Sequence, residues 1–136
     1  MRIHFVQGAL AGVAALALFA SGARADEDQA AAGGKLFAKH CAKCHGDAGQ
    51  GKKGPPVVGK DALPLDPPAT AKLRKTQFHT AQDVAAFVAA NMPPKKGGSL
   101  TVDEYYAILA FDLKANGVDV SGKKIDPTTA AAIKLH

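Results

Sequence analysis

The chain has 136 residues, enough for one domain with a modest core, and it has no Trp. Its formal charge of +5 raises nucleic acid as a partner, but aromatic residues are only 6% of the chain and do not interleave with the basic ones, so that class is set aside. With two Cys it is also too poor in thiols for a structural zinc site of four cysteines.

The chain opens with a stretch that reads as a secretory signal over residues 1–25. Arg2 is basic, Gly8 to Ala20 is almost wholly apolar, and Ala23-Arg24-Ala25 has the small-x-small form of a cleavage site. The apolar run is shorter than the ~20 residues a spanning helix needs. Cleavage before Asp26 would leave an exported, periplasmic protein with no stable membrane insertion. The expected organisation is a leader at 1–25, a domain at 26–117 and a tail at 118–136.

A first helix is expected from Asp28, a good N-cap, into Cys41-Ala42-Lys43-Cys44-His45. Phe37, Cys41 and Cys44 recur at i, i+4 and i+7 and so share a face. Gly33-Gly34 inside this helix costs roughly 1 kcal/mol per glycine, which suggests a close backbone contact as compensation. The pentapeptide is the C-x-x-C-H pattern of covalent c-type haem attachment. Two thiols three apart can add to two vinyl groups of one porphyrin, and the adjoining His offers an imidazole nitrogen to the iron. A thioredoxin-like redox pair fits poorly, because it wants a strand before it and a βαβ context. A disulfide between such close residues would stabilise little.

Residues 46–79 carry Gly46, Gly49, Gly51, Gly54 and Gly59 among Pro55, Pro56, Pro64, Pro67 and Pro68. So long a stretch without periodicity makes sense if it wraps a prosthetic group. Gly49 to Gly54 matches G-x-G-x-x-G, but no strand precedes it and two prolines follow, so a dinucleotide site is not expected. A second helix starts at the capping signal Thr80-Ala81-Gln82-Asp83 and ends near Met92, before Pro93. A third runs from Thr101, with Glu104 in the reciprocal capping position, to Lys114 and Gly117. Asp126-Pro127 suggests one more short helix through Ile133. Met92 is the one thioether left after loss of the leader. Pinned by two prolines, it is the candidate sixth ligand opposite His45, with His79 as the rival. Most Met residues only fill a core, and that reading stays open.

Taken together these residues resemble the class I monohaem cytochromes c, over about Gly33 to Gly117. The likeness rests on Gly33-x-x-x-Phe37, Cys41-Ala42-Lys43-Cys44-His45, Gly54-Pro55, Met92-Pro93, and an aromatic-bearing last helix ending in Asn116-Gly117. It implies an all-α, small cytochrome c fold, with three main helices and the Gly/Pro-rich loop around one covalently attached haem c with its iron. It also implies that the first and last helices cross, with Gly33 and Phe37 against Phe111. It gives Pro55 the role of accepting the Nδ1 proton of the axial His45 through its carbonyl. Tyr105, Tyr106 and Arg74 are candidates for holding the propionates. The residues after Gly117 lie outside the shared pattern.

The expected function is therefore a one-electron carrier with Cys41, Cys44, His45, Met92 and Pro55 about the haem, and iron ligated by His45 and Met92. Both axial positions would be filled, so no enzyme activity is expected. Basic residues number eleven against four acidic ones between Lys35 and Lys96. Lys43, Lys52, Lys53, Lys95 and Lys96 are candidates to dock an acidic redox protein partner. The alternatives are a haem-binding subunit of a larger oxidoreductase, and a haem ligand sensor with a labile sixth ligand.

Overall fold

The computed structural model describes residues 22–136; of the leader expected at 1–25, residues 1–21 lie outside the described residues. An alanine-rich sequence forms helix α1, Gly22–His40. It begins ahead of Asp28, which is thus internal and not a cap; the high helix propensity of its alanines lets the helix extend past that signal. After Cys41 a single turn, α2 (Ala42–His45), carries the rest of the pentapeptide. Helix α3 (Ala81–Asn91) and helix α4 (Val102–Ala115) start where the capping signals placed them. Thr80 with Asp83, and Thr101 with Glu104, each form a reciprocal capping box. Asp126 caps α5, Pro127–Ala132, in the same way. Among the described residues there is no β-strand, only a bridge of Thr80 with Lys134. The fold is all-α, as expected.

Helix α4 is the spine, because it is apolar on two sides. Tyr106, Leu109, Ala110 and Leu113 join Ala30 of α1, Ala81, Val84 and Ala85 of α3, and Phe78 in the larger cluster. Val120, Ile125 and Ala130 close that cluster from the 118–136 segment, so these residues are part of the core. Gln29 fixes the segment by donating to the Ile125 carbonyl and accepting from the Ile125 N–H, both at 2.8 Å. Ile108, on another side of α4, meets Phe37 and Ala42 in a second cluster, with Cys41, Leu36, Val57, Leu100 and Phe111 half-buried about it.

The crossing of α1 and α4 is the most extensive helix contact in the fold. Gly33 makes it possible: a methyl there would overlap the Ala107 carbonyl. The Phe37 and Phe111 rings lie beside this contact with centroids 5.1 Å apart. The backbone approach thus offsets the propensity cost of glycine in a helix.

Candidate haem site

The site grows from the end of α1. The Cys41 amide still donates to Phe37 O, at 2.8 Å, and the Cys44 and His45 amides both donate to Cys41 O, at 3.0 Å. The pentapeptide is therefore one folded unit with two free, half-buried thiols. Burial, then the nearby Asp112 and Cys44, push the Cys41 thiol up to about 11.

The following loop folds back over this unit through its backbone. Gly51 N–H donates to His45 O at 2.6 Å, Gly54 N–H to Cys44 O at 2.8 Å, and Val57 N–H to Gly49 O at 2.8 Å. Gly51 has φ +93°, which other residues rarely adopt, and a Cβ on Gly54 would lie 3.0 Å from His45 Cε1. The G-x-G-x-x-G pattern has its physical reason here: it lets the loop turn and press on the histidine. At the end of this clasp Pro55 O accepts from His45 Nδ1 at 2.7 Å. That bond holds the ring plane and commits Nδ1, leaving Nε2 as the nitrogen able to bind a metal.

Asn116, near the end of α4, anchors the same loop. Its amide donates to Val57 O at 2.8 Å, and its Oδ1 accepts from Gly59 N–H at 3.0 Å. Met92 caps α3, donating its N–H to Val88 O at 2.8 Å, and its side chain is half-buried. The buried Tyr105 of α4 donates its hydroxyl to Met92 O at 2.8 Å, tying the methionine segment to the spine. His79 is exposed and bonds Gln77 through Nε2 at 3.0 Å. The other two residues considered for the propionates have protein partners as well. Tyr106 donates to Gln82 at 2.6 Å, and Arg74 donates to the carbonyls of Pro64, Leu65 and Thr76 while lying over the Phe78 ring. Tyr105, Arg74 and Asn116 thus organise the loops, roles that sequence pattern alone did not reveal. Two features suit the residues to haem: one oriented imidazole in the same folded unit as two free thiols, and an apolar cluster of Phe37, Ile108 and Val57. Lys43, Lys52, Lys53, Lys95 and Lys96 are all exposed.

The fold and the clasped C-x-x-C-H unit define a c-type cytochrome domain. Residues 28–111 match the family described as cytochrome c oxidase, cbb3-type, subunit III, and the chain belongs to it. The domain carries covalently attached haem c. The chain is similar to thiosulfate dehydrogenase of Stutzerimonas stutzeri (strain A1501), at 34% identity over 87 residues, which are 60% of this chain and 25% of that protein. It is also similar to the crystal structure of the sulfane dehydrogenase SoxCD from Paracoccus pantotrophus, with TM-score 0.57 and 31% identity, covering 78% of this chain and 52% of the other. The chain thus spans about a quarter of the first relative and half of the second.

These relatives correct the expectation of no enzyme activity, since both are named as dehydrogenases. That expectation came from counting axial ligands on one iron. Two filled positions bear on whether substrate binds that metal; they say nothing about the chemistry of an assembly to which a haem domain belongs. Among the described residues no helix is long and apolar enough to cross a membrane.

Proposed function

We propose that the chain is the haem-bearing electron-transfer part of a periplasmic dehydrogenase acting on a reduced sulfur compound. Cys41 and Cys44 would form the thioether links, and His45 Nε2 and Met92 Sδ would hold the iron. The observation that carries this reading is the 2.7 Å bond from His45 Nδ1 to Pro55 O, which presents the opposite nitrogen beside two free thiols. The names of the two relatives support the substrate class.

Haem supplies a one-electron couple between two iron oxidation states. The chain's own residues do the rest. Pro55 O holds the imidazole plane and raises its basicity as a ligand. Tyr105 fixes the Met92 segment by its carbonyl, and a thioether there favours the reduced state. Phe37, Ile108 and Val57 form an apolar cluster that would lower water access to a bound haem. The exposed lysines would attract an acidic face of a redox partner, speeding encounter in a salt-dependent way.

The test is the visible spectrum of the protein made in a host that attaches c-type haem. Covalent haem with a sulfur-to-iron band in the oxidised form, lost in Met92→Ala, is the expected result. Haem without that band, or tight binding of carbon monoxide by the reduced protein, overturns Met92 ligation. Co-purification with a catalytic subunit is expected from the native source, and a chain found only as a free monomer overturns the assembly reading.

A further inference from the structure

Asp112 is a carboxyl in the wrong place for an ordinary surface acid. It lies on α4 one turn after Ile108 and one turn before Asn116, so these three side chains share the face that meets Cys41 and Val57. It is only 6% exposed. Its Oδ1 is the one buried side-chain oxygen or nitrogen among the described residues that has no hydrogen-bond partner. It is close enough to Cys41 to raise that thiol's pKa by charge. A carboxylate so placed is normally excluded from a core, because burial disfavours its charged form.

The surroundings offer little compensation. Lys39 and His40 of α1 lie toward Glu104, at the other end of α4. Lys114, on the same helix, is exposed. Of the pentapeptide's titratable groups, Cys41 lies near the carboxyl, Cys44 is half-buried, Lys43 is exposed and the His45 ring is held by Pro55 O; the 57–59 segment has no titratable residue. Burial is the only cause acting on Asp112, and it pushes the carboxyl up to about 8. The group can therefore change charge near neutral pH, in step with a charge change next to it.

We propose that Asp112 is a proton site coupled to the haem, taking up one proton from solvent when the iron is reduced and releasing it on oxidation. The inference rests on the haem attachment proposed above. One electron arrives from the redox partner and one proton adds to the carboxylate oxygen; the only bond formed is O–H, and the reverse occurs on oxidation. The sign follows from charge. Oxidation adds a positive charge that favours the carboxylate, and reduction removes it and favours the neutral acid. The reduction potential then falls with rising pH between the two pKa values of Asp112. A tenfold change in proton concentration shifts it by up to about 59 mV, the one-electron equivalent of a factor of ten.

The experiment is a mediated redox titration of the haem-loaded full protein from pH 5 to 9, for the natural chain, Asp112→Asn and Asp112→Leu. The natural chain is expected to show the pH slope, and both variants to lose most of it, keeping only what the haem propionates contribute. In infrared difference spectra of the natural protein, reduction is expected to bring up the carbonyl stretch of a protonated carboxylic acid, shifted in heavy water. Equal slopes in all three proteins overturn the proposal, and so does the absence of that stretch in the natural protein, which decides the matter even if neither variant folds well enough to titrate. A protein that takes up no haem overturns the site reading together with this one, whereas haem-loaded protein with unchanged slopes overturns this one alone.

Discussion

The two apolar sides of α4 differ in what completes them. On one side Leu109, Ala110 and Leu113 are covered by protein alone, from α1, α3 and the 118–136 segment, down to Ile125 at 1% exposed. On the other only Phe37, Ala42 and Ile108 are fully buried, amid half-buried neighbours, two free thiols and an unpartnered carboxyl. The first is a self-sufficient core, where every side chain has a protein neighbour. The second has the polarity pattern of a wall built for a cofactor. A small domain achieves both by using a single helix as the shared wall, and this explains why α4 is buried along almost its whole length.

The largest test of this comparison is to end the chain at Gly117. Burial of Val120 and Ile125 alone contributes roughly 5 kcal/mol at ~1.5–3 kcal/mol per side chain. Since small domains hold only ~5–15 kcal/mol in total, the truncated protein is expected to lose its cooperative unfolding transition in circular dichroism. A milder version, Ile125→Ala, should cost about 3 kcal/mol in denaturant titration. Next comes Gly33→Val. Its side chain meets the Ala107 carbonyl, backbone that cannot turn aside, so a loss of about 3 kcal/mol is expected in thermal melts. If either change proves neutral, the first side is less complete than its burial implies.

The second side is sharpened by pH. The Asp112 carboxyl titrates at its ordinary value, 3.8, when unfolded and at about 8 when folded. Between those values the folded chain holds more protons than the unfolded one, so stability falls as pH rises from about 4 and levels off past 8. Asp112→Leu should remove that fall, leaving the variant about 2 kcal/mol more stable than the natural chain at pH 9. Urea midpoints at pH 5 and pH 9 check both the sign and the difference. The smallest effect is expected from Thr101→Ala, which removes the cap of α4 without touching either side and should cost about 1 kcal/mol. A loss of haem absorbance in that variant would mean that the spine is less rigid than its caps suggest.

Much of the helical framework is legible in the sequence because its signals are local. Thr80 and Thr101 carry their capping partners three residues away, and Gly33 announces a close approach by being a glycine inside a helix. The long-range features left fainter traces. Nothing near Val120 or Ile125 says that they cross to Ala30 and Leu113, since a short segment with few apolar residues reads as a tail until its neighbours are known. Asn116 clamping Val57 and Gly59, Tyr105 reaching the Met92 carbonyl, and Arg74 gathering three carbonyls are contacts between distant positions, and composition does not encode them. The G-x-G-x-x-G run was visible but its purpose was not, because the histidine it presses on sits in another motif. In the sequence, nothing local distinguishes Asp112 from a solvent-facing acid on a helix. Only the fold shows that it faces inward.

The Tyr105 bond to Met92 O has a consequence for how fast charge can move through the domain. The pentapeptide extends α1, the methionine segment hangs from α4, and α1 and α4 are locked together at Gly33. Both proposed iron ligands are thus referenced to one rigid cross, with the loop adding the orientation of the imidazole through Pro55 O. Electron transfer is slowed when nuclei must shift to suit each oxidation state. A scaffold that measures the ligand-to-ligand span from its stiffest joint keeps such shifts small.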